Sequence, residues 1–283
     1  MVSRMILEYP VEKHEDLIPF FDEHSHLSAP ILAFLKEGGG EVFVDNLENP
    51  EVALLSYKVL YILAGQSSNK AAKELLSHIP RHRLIIVPNE EWERLLRKFW
   101  GIRLVSFRRT KFSSQTLDLD HIKKLKGNLA EEYIIERINA QNIAGFDETM
   151  ANDFFGVFGG PKSFLEKGFG FCVRDGEKVI SAAATGFTPY KNAFEMQVET
   201  INSPDYRHKG LATAVCANLI EYSLENGFDP RWDAENERSK KFALKLGYSD
   251  PVSYNVYMHT KLLLKTLKKT KLLRILRLFY KQH

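Results

Sequence analysis

The stretch that most constrains this chain runs Val198-Glu-Thr-Ile-Asn-Ser-Pro-Asp-Tyr-Arg207-His-Lys-Gly210-Leu-Ala212-Thr-Ala-Val-Cys-Ala-Asn-Leu-Ile220. Its first part, read back to Glu195, alternates apolar and polar residues and predicts a strand. Its second part repeats apolar residues at helical spacing. Between them lie a Pro-Asp turn and then Arg207, Lys209 and Gly210. A helix start leaves backbone N–H groups unpaired and carries partial positive charge from the aligned peptide dipoles. Glycine lets a ligand approach the backbone, and the two side chains add full charges. Such a turn suits a pyrophosphate.

Arg207-x-x-Gly210-x-Ala212 after a strand, followed downstream by Trp232-Asp-Ala-Glu-Asn236-Glu-Arg-Ser239 and a helix ending in Leu246-Gly247-Tyr248, resembles the GNAT acetyltransferase superfamily. The similarity is closest over 195–257 and nearest to the zwittermicin A resistance type. It implies an α/β (α+β) fold: a mixed, mostly antiparallel sheet flanked by helices. It also implies acetyl-CoA as donor and an amine as acceptor. The cofactor residues it carries over are Thr200, Ile201 and Asn202 on the strand, then Arg207, His208, Lys209, Gly210, Leu211, Ala212 and Thr213 in the loop and helix start. Asn236 and Ser239 complete the set. A backbone N–H around Thr200 to Asn202 is the expected oxyanion donor.

Attack of a neutral amine on a thioester needs a base. Alternation puts Glu195, Gln197 and Glu199 on one strand face and Met196, Val198 and Thr200 on the other. Glu199 is the expected base and Glu195 the second candidate; a solvated face or an anchor for the substrate amine explains them equally. Asn236 reads as a cofactor contact and equally as a helix N-cap. Seven residues after it, where the family often has a tyrosine acting as acid, stands Ala243. A thiol of ordinary pKa about 8.5 can leave as thiolate, so the loss is survivable.

The chain's 283 residues allow two ordinary domains. The reading divides them into an N-terminal α/β domain at 1–115, a catalytic domain at 116–260 and a basic helix at 261–283. The first two form tandem halves of one fold, the first degenerate. In both halves a helix is followed by a strand, an Asn (Asn89, Asn236), a second helix and a Gly (Gly101, Gly247). Where the second half has Arg207-His-Lys-Gly, the first has Gln66-Ser-Ser-Asn69.

Several further expectations follow the chain. Amphipathic segments lie at 14–37, a strand at 41–45, paired strands over 52–64, and helices at 69–79 and 90–100 flanking a strand at 84–87. Another strand covers 102–107, a linker 110–120 and a helix 129–138. A hairpin turns at Asp175-Gly176. The small residues Ser181 to Ala184 suit either a ligand channel or tight packing. Gly156-Val-Phe-Gly-Gly-Pro-Lys162-Ser163 is not a phosphate loop, because Pro161 lacks the needed donor. The histidines of the first half lack metal-ligand spacing and read as solvated or capping groups, so no metal is expected. Cys172 and Cys216 read as buried thiols in a cytoplasmic protein.

The net charge of +3 is uneven. Residues 261–283 carry eight Lys and Arg and no acid, leaving the first 260 at −5. No nucleic-acid-binding face is expected on the body. The tail can lie on an anionic membrane or dock its leucines on protein, and the reading favours docking. The acceptor is read as a small molecule such as an antibiotic or metabolite. The alternative is a non-catalytic CoA-binding or interaction module. Nothing in the sequence sets the oligomeric state.

Overall fold

The computed structural model describes residues 6–37, 40–127 and 129–260; the basic tail expected at 261–283 lies outside the described residues. In chain order the elements are β1 (Leu7–Glu8), a 3-10 segment (Val11–Leu27), α1 (Ser28–Glu37), β2 (Glu41–Val44), β3 (Val52–Tyr57), β4 (Leu60–Gly65), α2 (Ala72–His78), β5 (Leu84–Ile86), α3 (Glu90–Trp100), β6 (Leu104–Ser113), α4 (Leu119–Leu125), β7 (Tyr133–Arg137), α5 (Glu148–Phe155), α6 (Pro161–Lys167), β8 (Gly170–Asp175), β9 (Lys178–Thr185), β10 (Ala193–Thr200), α7 (Leu211–Glu225), β11 (Asp229–Ala234), α8 (Glu237–Leu246) and β12 (Ser249–His259). They form two compact units: residues up to Arg108 with those from Tyr254, and Arg109–Ser253.

In the first unit β1, β2, β3 and β4 run antiparallel in sequence order, and β4 then pairs β5 in parallel through Leu60↔Leu84 to Ile62↔Ile86. The C-terminal part of β12 adds beyond β5, antiparallel at Tyr257↔Ile85. Val52 to Leu55 are all fully buried, which is why their sequence is an unbroken apolar run rather than an alternation. α3 starts at Asn89, whose side chain accepts from the Trp92 N–H at 3.2 Å. Three glutamates occupy its first turn and Arg97 and Lys98 its last, matching the helix dipole. Trp92 and Leu96 are fully buried, and such side chains stabilise by roughly 1.5–3 kcal/mol each on burial. His14 and His24 are buried rather than solvated or capping. The Nε2 of each lies within hydrogen-bond distance of a backbone oxygen, Tyr9 at 3.1 Å and Leu63 at 2.8 Å.

The second unit has the strand order β6-β11-β10-β9-β8-β7, antiparallel except for β10 and β11. Two sequence expectations fail here. Residues 129–138 are not a helix: Tyr133–Arg137 forms β7 and pairs β8 from Tyr133↔Asp175 to Arg137↔Phe171. The isoleucine pair read as one helical stripe instead alternates across a sheet edge, leaving Ile134 exposed. The stretch 110–120 is not a linker either. β6 continues to Ser113, and its Thr110, Lys111 and Phe112 are buried opposite Ala234, Asp233 and Trp232. The division between units therefore falls inside β6, and again inside β12, rather than at 115 and 260.

Helices cover both faces of this sheet. Phe171 and Phe194 point toward Tyr222 and Phe228 beside α7, whereas Cys172, Ala182 and Ala184 pack against Phe154, Phe155 and Phe164 of α5 and α6. The small residues of β9 serve packing. A Cβ on Gly170 would lie 2.5 Å from the Ala184 Cβ. Pro161 is the first residue of α6, and Gly160 before it makes no side-chain cap. Both cysteines are buried thiols; burial pushes Cys172 up to about 12 and Cys216 higher still.

Candidate functional site

The turn between β10 and α7 is built by its own side chains. The Ser203 hydroxyl accepts from the Asp205 N–H at 3.3 Å, and Pro204–Tyr206 form one 3-10 turn. Arg207 Nη2 donates to Asn202 Oδ1 at 2.8 Å, so Asn202 steers the guanidinium. His208 and Gly210 both take left-handed backbone conformations, with φ of 59° and 80°. Gly210 is the N-cap of α7, and no side chain caps that helix. The Ala214 N–H donates to Gly210 O at 3.0 Å. The N–H groups of Leu211, Ala212 and Thr213 are the orphan donors of a helix start. A Cβ on Gly210 would meet just Leu129 Cδ2, at 4.0 Å, so the space over this backbone is open. Arg207, His208 and Lys209 are exposed around it. Lys245 of α8 adds a cation that sequence spacing did not reveal, its Nζ donating to Thr213 Oγ1 at 3.0 Å.

Next to this turn the sheet opens. β10 and β11 pair in parallel at Ala193↔Asp229, Phe194↔Pro230 and Glu195↔Arg231, and the pairing ends there. β10 continues to Thr200 against β9 alone. Gly186 N–H donates to Glu195 O, and Ile201 N–H donates to Ile180 O at 2.9 Å. Backbone groups alternate along a strand, so 195, 197, 199 and 201 face β9. The N–H and C=O groups of Val198 and Thr200 face the gap, where no described strand pairs them. Of the three expected oxyanion donors, Thr200 lies on this open edge and Ile201 does not, its N–H being spent on Ile180.

The side chains of β10 divide as alternation predicts. Phe194 and Met196 face α7 and α8, and the Tyr248 hydroxyl lies 2.9 Å from Met196 Sδ while donating to Pro230 O at 2.8 Å. Burial holds the Tyr248 phenol well above its ordinary pKa. Glu195 lies on the opposite face and is ion-paired to Lys111, which is only 6% exposed. Lys111 Nζ is also 3.9 Å from Asp233 Oδ2, and Asp233 Oδ1 accepts from Arg109 Nε at 3.1 Å. This chain of charges across β6, β11 and β10 was invisible from sequence, because 110–120 read as a linker. It holds the Glu195 carboxylate against Lys111. Glu199 follows on the same face beyond the parting of the strands, and its backbone oxygen accepts from Ser181 Oγ at 3.1 Å.

Asn236 caps α8: its Oδ1 accepts from the Ser239 N–H at 3.0 Å, and its Nδ2 donates to Glu235 Oε1 at 3.0 Å. Ser239 Oγ accepts from Trp232 Nε1 at 3.2 Å. Ala243 is fully buried and supplies no acid.

The motifs suggested a family, and comparison with known proteins identifies it. The sequence profile described as GNAT acetyltransferase matches residues 19–257. The chain belongs to this family. It is 26% identical over 232 residues to the uncharacterized N-acetyltransferase YdfB of Bacillus subtilis strain 168, covering 77% of this chain and 85% of YdfB. Among solved structures, a GCN5-related N-acetyltransferase-like protein from Streptococcus suis is similar with a TM-score of 0.71 and 26% identity, over 88% of this chain and 98% of that one. A tandem GNAT protein from the clavulanic acid biosynthesis pathway shares the fold, with a TM-score of 0.58 at 10% identity, over 90% of this chain and 97% of that one. This GNAT chain is thus an acetyltransferase by family, with a mixed, mostly antiparallel sheet flanked by helices. No helix among the described residues is long and apolar enough to cross a membrane.

Proposed function

We infer that the protein is a cytoplasmic, acetyl-CoA-dependent N-acetyltransferase acting on a primary amine of a small molecule, such as an antibiotic or metabolite. The observation that carries this is the uncapped start of α7 behind Gly210, flanked by Arg207 and Lys209 and adjoining the open edge of β10. The residues fit the cofactor. The N–H groups from Lys209 to Thr213, with the two cations, would hold its pyrophosphate. The free backbone edge at Val198 and Thr200 would pair its amide-bearing arm, and Asn236 and Ser239 would border it. Bound acetyl-CoA supplies an activated acyl group. The Val198 and Thr200 N–H groups can donate to an oxygen that gains negative charge. Glu199 accepts the amine's proton, directly or through water, whereas Glu195, held by Lys111, positions that strand.

The first unit is read as a degenerate copy of the same fold. Its β4 and β5 pair in parallel over three residues, as β10 and β11 do, and Asn89 caps α3 as Asn236 caps α8. Its corresponding turn is closed by its own groups. Asn69 Oδ1 accepts from the Ala71 N–H at 2.7 Å, while Asn69 Nδ2 donates to Asp45 and Glu51 carboxylates at 3.1 and 2.7 Å. The narrower likeness to the zwittermicin A resistance type belongs to this proposal and guides the choice of amines. Incubation of the full chain with acetyl-CoA and an amine panel, following free thiol, tests the reading. Amine-dependent thiol release is expected. Tight acetyl-CoA binding with no release for any amine would favour a non-catalytic module.

A further inference from the structure

From Val179 to Ala184, β9 is apolar except for Ser181, which is fully buried. A buried hydroxyl costs stability unless it finds partners, and this one finds two. Ser181 and Thr200 are register partners in the β9–β10 ladder, so their side chains share one face of the sheet. Ser181 Oγ donates to Glu199 O at 3.1 Å and lies 2.8 Å from Thr200 Oγ1. A hydroxyl has one proton to give. With the Ser181 proton on Glu199 O, the Thr200 hydroxyl donates to Ser181 Oγ, which pins the Thr200 side chain.

The choice of acceptor makes this more than a satisfied core serine. Glu199 C=O and Thr200 N–H belong to one planar peptide group. Its carbonyl faces β9, and its N–H faces the gap where β10 and β11 have parted. A donor on the carbonyl draws electron density from the peptide nitrogen and makes the N–H a stronger donor in turn. It also resists rotation of the peptide plane. Val198 N–H, the other open donor, belongs to the peptide of Gln197. The β9 residue opposite Val198 is Ala183, which has no hydroxyl to give. We propose that Ser181 is a positioning residue of the transfer reaction: it aims and strengthens the Thr200 N–H as the oxyanion donor. Val198 is left to pair the cofactor's arm. This rests on the acetyltransferase reading above and sharpens it, because it singles out one of two open N–H groups.

The test uses Ser181→Ala in the full chain, a change that removes one hydroxyl beside residues that are already alanine. In the protein without cofactor, the Thr200 amide nitrogen resonance should move upfield, and by more than that of Val198. With acetyl-CoA and an accepting amine, kcat should fall by about tenfold, as for an oxyanion donor misaimed instead of removed. KM for the amine, and the calorimetric affinity and stoichiometry for acetyl-CoA, should stay near wild type, because the charge develops only in the transition state. Unchanged stoichiometry shows that the loss is not an unfolded fraction. Thr200→Val should lower kcat as well, and the double variant should be no slower than the slower single one, since the two hydroxyls act as one unit. An active wild type with equal kcat in Ser181→Ala, an unmoved Thr200 resonance, or a loss confined to KM or affinity would overturn this proposal and leave the acetyltransferase reading standing. A wild type that binds acetyl-CoA but acetylates no amine would overturn both.

Discussion

Glu195 and Arg231 are the last partners at which β10 and β11 run in register, and beyond them the two strands part. The N–H and C=O groups of Val198 and Thr200 therefore reach the gap. Ser203 and Asn202 then order the turn that leads to Gly210. An open sheet edge and an uncapped helix start are each costly in isolation. Placed next to one another, they leave donors for a single extended ligand bearing phosphates at one end.

Gly210 carries the first prediction. With φ at +80°, a β-branched residue is strained there, and its bulk would stand over the open N–H groups. Gly210→Val is expected to weaken acetyl-CoA binding by several kcal/mol, since each charge-assisted hydrogen bond lost counts about 1.5–3 kcal/mol. Calorimetry showing wild-type affinity would remove the proposed phosphate site.

Glu199 is tested by its amide. Glu199→Gln keeps shape and removes basicity, so turnover near neutral pH should fall by about 10²–10⁴-fold and the acidic limb of the rate profile should vanish. Normal turnover with a raised KM would make Glu199 an anchor for the substrate amine instead.

Lys111 is predicted to matter for folding first. Lys111→Met leaves Glu195 and Asp233 facing each other without their shared cation on a buried stretch of sheet. Breaking a buried pair from one side costs about 3–5 kcal/mol. The further change Glu195→Gln should recover part of that loss, which urea denaturation of single and double variants would show. An unaltered midpoint for Lys111→Met would mean that the charge network is not a structural tie.

Two histidines of the first unit set a pH dependence. Burial lowers the pKa of His24, and burial with the nearby arginines lowers that of His259. A base whose folded pKa lies below its unfolded value of about 6.5 destabilises the fold as pH falls through that value, because the unfolded chain then binds the extra proton. Above about pH 6.5 both are neutral in either state and the effect is absent. Thermal melts should show stability lost from pH 7.5 to 5.5, with a smaller loss in His259→Gln. Equal losses in the two proteins would contradict the assignment.

The sequence made the second half legible where local chemistry is strict. The Asp175-Gly176 hairpin, the glycine that opens α7 and the Asn236 cap each need a particular residue type, so residues alone located them. What it hid was long-range. The Tyr133–Arg137 segment has the same local spacing in a helix as on a sheet edge, and pairing with β8 decides the matter. Lys111 read as part of a polar linker, because its partners Glu195 and Asp233 lie far along the chain. The path of β6 and β12 from one unit into the other is likewise set by strand pairing rather than by composition.

The likeness between the two units yields the last prediction. Each places a parallel strand pair before an Asn-capped helix, yet their turns differ in sign. The second presents Arg207, Lys209 and open N–H groups. The first presents Asp45 and Glu51 bridged by the Asn69 amide, and its Ala71 N–H is already taken. A pyrophosphate there would meet carboxylates instead of donors, and like charges at close range oppose binding. One acetyl-CoA per chain is therefore expected by calorimetry, with Gly210→Val abolishing the whole signal rather than half. Asn69→Ala should leave stoichiometry and affinity unchanged while lowering the melting temperature, since it removes the bridge between two carboxylates. A stoichiometry of two, or residual binding in Gly210→Val that Asn69→Ala alters, would show that the first unit has kept a cofactor site.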